Sequence, residues 1–227
     1  MRSWRRLMAM PEPRASALLF DMDGVLLDSN PVHAQAWIAY NRRHGVETDD
    51  AMLARMYGSH NAELIREFLG VALSDAEVVA HGAAKEVLYR ELMAPQMEQR
   101  MVPGLRRFLE RHSGVPMGLA TNAERPNVDL VLRQMDLARY FPVVVDGNQV
   151  SRPKPFPDVY LKAAELLGAE PARCIVFEDS HAGVTAARAA GMAVVALRTT
   201  HQEFDDAQFV MDDFEDPKLE SWLANRI

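Results

Sequence analysis

Short apolar runs punctuate the chain, and most are followed by a stretch whose apolar residues recur every three or four positions. "SALLF" (16–20), "VPMGLAT" (115–121), "FPVVVD" (141–146), "CIVFED" (174–179) and "MAVVAL" (192–197) read as buried strands. "GLRRFLERH" (104–112), "RPNVDLVLRQM" (125–135), "PDVYLKAAELLG" (157–168) and "HAGVTAARAAG" (181–191) have helical spacing, and two of them end at a glycine suited to a helix C-terminus. Strands that alternate with helices predict a parallel sheet covered on both faces, a doubly wound, Rossmann-like α/β core. "DAQFVMDDF" (206–214) offers a short edge strand.

Residues 32 to about 95 break this rhythm. "HAQAWIAYNRRHG", "DAMLARMYG", "NAELIREFLG" and "SDAEVVAHGAAKEVLYRELMA" all read as helices, with no strand between them. The expected organisation is therefore an α/β core of residues 16–30 and 99–227, interrupted by an all-helical cap over 31–98. "SNP" (29–31) leads into the cap and "VPG" (102–104) returns to the core.

Composition narrows the picture. Hydrophobic residues make up 48% of the 227, enough for a real core, and no run is long enough to span a membrane. The net charge of −7 argues against a nucleic-acid partner. Arg2, Arg5, Arg6 and Arg14 crowd the first fifteen residues, but no apolar stretch of targeting length follows before Pro11 and Pro13. Residues 1–15 are expected to be disordered. Cys174 is the single cysteine, which excludes an internal disulfide and fits a reducing, cytoplasmic setting.

Ligands of a parallel α/β sheet bind beyond the carboxyl ends of its strands. The first strand ends in Asp21 and Asp23, the second in Thr121 and Asn122, the fourth in Glu178 and Asp179, and Lys154 lies in the loop after the third. Each has a plain structural reading taken alone: an Asp-Gly turn, a strand-end cap, a solvated loop lysine, a helix cap. Together they gather four carboxylates, a hydroxyl and a lysine at one edge. Four such carboxylates would repel, and a hard divalent cation removes the conflict; Mg²⁺ is the usual one where carboxylates meet phosphate. A partly neutralised aspartate can attack phosphorus, and a second carboxyl two residues on can move the proton.

These stretches, "DMDGV", "ATNA", "RPKPFPD" and "VFEDSHAGVTAARAAGM", resemble the haloacid dehalogenase superfamily, specifically its branch with a helical cap after the first motif. That branch includes β-phosphoglucomutase-like and phosphoglycolate phosphatase-like enzymes. The resemblance implies Asp21 as nucleophile, Asp23 as general acid/base, and Thr121, Asn122 and Lys154 around the phosphoryl group. It further implies Mg²⁺ held by Asp21, the Asp23 carbonyl, Glu178 and Asp179. Its dehalogenases lack the second aspartate and the magnesium acids, which this chain keeps. Ser29, His33 and Trp37 match the hinge spacing of the mutases. At the cap loop, however, where the mutases resemble K-G-x-x-R, this chain has Tyr57, Gly58 and Asn61, without the two cations. The expectation is a Mg²⁺-dependent phosphatase for small phosphorylated metabolites such as sugar phosphates, a monomer or weak dimer. A sugar-phosphate mutase using the same aspartyl-phosphate is the alternative. An idle fold used for binding is the remaining class, disfavoured by the full set of catalytic positions.

Overall fold

A computed structural model of the chain describes residues 17–56, 61–70, 72–224 and 226–227. The stretch expected to be disordered, 1–15, and the loop residues Tyr57 and Gly58 lie outside the described residues. Six strands, β1 (Ala17–Phe20), β2 (Met117–Ala120), β3 (Val143–Val145), β4 (Cys174–Glu178), β5 (Ala193–Leu197) and β6 (Phe209–Met211), form one sheet in the order β3-β2-β1-β4-β5-β6. Every neighbouring pair is parallel. The order reverses between β1 and β4. That switch point opens a crevice outside the strands' carboxyl ends.

A central parallel strand is covered on both faces, so its side chains are apolar on both. In β1, Leu18 and Phe20 face one hydrophobic cluster, while Ala17 and Leu19 face the other. Phe20 stacks on Phe177 of β4 at 4.7 Å between ring centres and meets Phe141 and Phe108 edge-on. Helices α5 (Leu105–Arg111), α6 (Arg125–Gln134), α7 (Asp158–Leu167) and α8 (His181–Ala189) fall where the periodicity predicts them. Gly168 ends α7 with φ 64°, a backbone conformation that favours glycine.

β2, β3 and one helix differ from expectation, β2 by spanning 117–120 rather than 115–121. β3 is shorter than 141–146, since Pro142 offers no N–H to a ladder and Asp146 turns away to accept from the Asn148 N–H at 3.0 Å. A helix α9 (Leu219–Leu223) was not foreseen; five residues are too few for a period to register.

Between β1 and β2 lie α1 (Asn30–Arg43), α2 (Asp50–Met56), α3 (Asn61–Leu69) and α4 (Asp75–Met93). Pro31 sits in the first turn of α1, where a missing N–H costs nothing. A reciprocal capping box between Ser74 and Glu77 starts α4. These helices enclose their own cluster of Trp37, Tyr40, Leu64, Ile65, Phe68, Val78 and Leu88. Val32, Ala36, Tyr89 and Met93, from the same helices, instead join the cluster on one face of the sheet. Among the described residues no helix is long and apolar enough to cross a membrane.

Phe20 is fully buried and touches four other aromatic rings. Phe20→Ala should therefore lower the free energy of unfolding by about 3–5 kcal/mol, measured by urea titration.

Candidate active site

The crevice at the switch point is lined by Asp21, Asp23, Thr121, Asn122, Lys154, Glu178 and Asp179 on the sheet side. Its other wall comes from the helical segment and α6 and includes His33, Trp37, Asn61, Lys85, Glu86, Glu124 and Asn127. The enclosed space is about 240 Å³. That is below the roughly 300–1,000 Å³ of sites for drug-sized ligands and suits a small metabolite.

Lys154 is the centre of the sheet side. Its ammonium donates to Asp21 Oδ1 and to Glu178 Oε1, each at 2.6 Å, and lies 4.8 Å from the centre of the Tyr160 ring. The Tyr160 hydroxyl donates to the same Glu178 oxygen at 2.9 Å, while Glu178 Oε2 accepts from the Asp179 and Ser180 N–H groups at 2.8 Å. Burial alone would raise the Glu178 pKa, but Lys154 and these hydrogen bonds outweigh it and hold the group ionised. Burial also works against the Lys154 charge, and the two carboxylates reverse that, moving its pKa upward.

Asp21, Glu178 and Asp179 bring carboxylate oxygens within 4.8 Å of one another. Burial pushes Asp21 up to about 7, with Glu178 and Asp23 adding to the shift and Lys154 opposing it. Burial and the charges of Glu178 and Asp21 raise Asp179 well above the carboxylate range. With all three ionised and Lys154 protonated, this buried group carries −2, an unstable arrangement for protein atoms alone. An all-oxygen donor set with that deficit fits a hard divalent cation.

Backbone closes in on these acids. Gly24, with φ 76°, passes so near Asp179 that an added Cβ would lie 1.8 Å from Oδ2, and a Cβ on Gly183 would lie 1.6 Å from Glu178 Oε1. Thr199 Oγ1 donates to the Gly24 carbonyl at 2.6 Å. Thr200 Oγ1 bonds to Asp179 Oδ2 and accepts from Asn30 Nδ2, the first residue of α1, at 2.6 Å.

The Asp23 carboxylate stands outside the three-acid group and faces the helical segment. His33 Nε2 lies 3.7 Å from Asp23 Oδ1, and its ring stacks flat on Tyr89 at 3.8 Å. Lys85 Nζ approaches His33 Nδ1 at 3.2 Å. Lys85 also donates to Glu86 Oε1 at 2.5 Å. Asn61 and Asn127 each donate to the Glu86 carboxylate at 2.7 Å, and Arg90 holds the Asn127 carbonyl oxygen at 2.7 Å.

A family model for haloacid dehalogenase-like hydrolases matches residues 15–191. The chain belongs to the haloacid dehalogenase-like hydrolases. Protein CbbY of Rhodobacter capsulatus is 34% identical over 93% of this chain and 96% of its own length. Fructose-1-phosphate phosphatase YqaB of Escherichia coli is 31% identical over 82% of this chain and 97% of its own. A crystal structure of β-phosphoglucomutase from Clostridium difficile superposes with a TM-score of 0.80, covering 93% of this chain and 96% of that one at 24% identity, a likeness of fold.

In this hydrolase Asp21, Asp23, Thr121, Asn122, Lys154, Glu178 and Asp179 converge on the crevice, as do His33 and Asn61. Thr121 Oγ1 accepts from the Ala123 N–H at 3.1 Å, and Asn122 Oδ1 accepts from the Lys154 N–H at 3.1 Å, so both hold loop backbone. Ser29 is fully buried and is not among the lining residues. Arg55 pairs with Glu67 at 2.8 Å and likewise does not line the crevice. Tyr57 and Asn61 offer no cation at the cap loop, yet Lys85 lines the crevice with only 1% exposure. Its position carried a signal: Val78, Gly82, Lys85, Tyr89 and Met93 form the buried stripe of α4. A lysine in an otherwise apolar stripe is one that has a partner. Thr200 was equally within reach, since the strand-end rule applied to β5 leads straight to it.

Glu86 yields a test of this geometry. Burial would raise its pKa, but the Lys85 and His33 charges and the hydrogen bonds lower it from 4.5 to about 2. The unfolded chain therefore binds the proton first, and the resulting stability is present above pH about 4.5 and lost as pH falls toward 2. Urea titrations across that window should show wild type losing about 3 kcal/mol more than Glu86→Gln.

Proposed function

We propose that this hydrolase is a Mg²⁺-dependent phosphatase of small phosphorylated metabolites, sugar phosphates among them, working through an aspartyl-phosphate. The observation that carries this reading is the placement of Asp21 between a buried ammonium and two further acids, with a separate carboxylate, Asp23, two residues on beside His33. The names of the relatives agree with it, since Escherichia coli YqaB is a fructose-1-phosphate phosphatase and a Thermotoga maritima relative is a phosphorylated carbohydrates phosphatase.

The free oxygen of Asp21 attacks phosphorus in line with the ester oxygen. As the P–O bond to the leaving group breaks, Asp23 gives that oxygen its proton. Asp23, now a carboxylate, takes a proton from water as the water oxygen attacks the aspartyl-phosphate. The bond from phosphorus to Asp21 breaks, and phosphate and free Asp21 result. Lys154 neutralises charge on the transferring group, and Thr121 with the Asn122 loop positions it. Asp21, Glu178, Asp179 and the Asp23 carbonyl would hold Mg²⁺, which supplies charge neutralisation at the phosphoryl oxygens.

Residues 31–98 act in this reading as a cap over a core of 16–30 and 99–227. The stacking of His33 on Tyr89 from α4 sets the ring that faces Asp23, which ties closure of the cap to the proton-transfer group. Ser29, Tyr57, Gly58 and Asn61 belong to the hinge and substrate side of that cap. A cytoplasmic location accords with the lone reduced cysteine, Cys174.

Asp21→Asn should leave the circular dichroism spectrum unchanged and reduce phosphate release from a panel of phosphorylated metabolites by at least about 10⁴-fold. Chelation of divalent cations should abolish release in wild type and added Mg²⁺ restore it. Interconversion of sugar-phosphate isomers without phosphate release would favour a mutase instead.

A further inference from the structure

The wall of the crevice facing Lys154 differs in charge from a phosphate subsite. Its one lysine, Lys85, is already engaged: Glu86 Oε1 lies at 2.5 Å, His33 Nδ1 at 3.2 Å and the Trp37 ring centre at 5.0 Å. Arg90, the next cation along α4, is held by Asn127 and does not line the space. Glu124, at the start of α6, does line it, half-buried and without a hydrogen-bond or ion-pair partner among the described residues. Burial and the nearby charge of Glu86 push the Glu124 carboxyl upward, against the opposing pull of Arg90 and Lys85. Lys85 and Glu86 pair with each other and Arg90 stays outside the space, so among the described residues Glu124 is the unpaired charge that lines this wall.

We infer that Glu86 and Glu124 are specificity-determining residues that admit molecules with a single phosphoryl group and a neutral, hydroxyl-bearing far end, and reject those with a second phosphate. Carboxylate oxygens accept from hydroxyls, and Glu86 Oε2, taken only by Asn127, has capacity for another donor. A second phosphate would instead meet like charge in a partly desolvated space, where repulsion exceeds its value in water. The inference rests on the phosphatase reading and sharpens it, because a mutase has to hold a bisphosphorylated intermediate and this wall opposes one.

Binding to the Mg²⁺-loaded Asp21→Asn protein tests the point without turnover. Calorimetry with glucitol 6-phosphate and glucitol 1,6-bisphosphate compares two ligands that differ by one distal phosphoryl group. The monophosphate should bind at least about tenfold more tightly, and the preference should shrink as salt is added. Glu124→Gln and Glu86→Gln, each placed in the same background, should narrow the ratio by about fivefold or more. The Glu124 side chain makes no hydrogen bond or ion pair among the described residues, so that variant serves even if Glu86→Gln folds poorly. Equal or tighter binding of the bisphosphate, absent binding of the monophosphate, or an unchanged ratio in Glu124→Gln would overturn the inference. Failure of the phosphatase reading is distinguishable, as it is the absence of phosphate release by wild type.

Discussion

A single ammonium group holds the sheet side of this protein together. Lys154 is 5% exposed and lies between carboxylates from two different strand ends, Asp21 after β1 and Glu178 at the end of β4. Burying one positive and three negative groups is costly, and removing one partner of such a pair typically costs about 3–5 kcal/mol. The arrangement exists only if β1 and β4 are adjacent and parallel, so that both acids emerge at the same edge. It also requires the loop after β3 to fold back over that edge, which the bond from the Lys154 N–H to Asn122 Oδ1 secures. Topology and electrostatics are thus one problem here, solved at the switch point of the sheet.

The helical segment meets this centre through polar contacts as well as apolar ones. Asn30 reaches Asp179 through Thr200, His33 faces Asp23, and Arg90 reaches the Asn127 side chain on α6. Val32, Ala36, Tyr89 and Met93 add an apolar seam against the sheet's own cluster. These links converge on the crevice or its rim, while Gln134 and Arg106 add bonds to Ala94 and Glu98 away from it. The position of α1 and α4 therefore sets the electrostatic surroundings of Asp23 and Asp179, rather than merely covering them.

The α/β core was legible because buried parallel strands and amphipathic helices leave strong periods, and the strand-end rule then placed Asp21, Thr121, Lys154, Glu178 and Asp179. What stayed hidden were residues whose role depends on neighbours far away in the chain. Glu86 reads as an ordinary helix-surface charge until α4 is seen against α1 and α6. Tyr160 lies in the apolar stripe of α7, and only its contact with Glu178 reveals a use for the hydroxyl. Ser29 matched a hinge spacing, yet spacing could not foretell that its side chain would be fully buried. β3 and α9 departed from expectation for local reasons, a proline in one and brevity in the other.

The two walls of the crevice are built from different materials. Around Asp179 and Glu178 the nearest neighbours include backbone at Gly24 and Gly183, where even a methyl group would collide with a carboxylate. The opposite wall is made of the ends of side chains, Asn61, Lys85, Glu86, Glu124 and Asn127, carried on helices whose backbone hydrogen bonds do not depend on them. Mutational tolerance is consequently uneven. Gly24 and Gly183, which back the acids, admit no side chain, whereas the half-buried Asn61 and Glu124 of the facing wall have room for exchange. Such a scaffold can diversify what it accepts while its reaction stays the same.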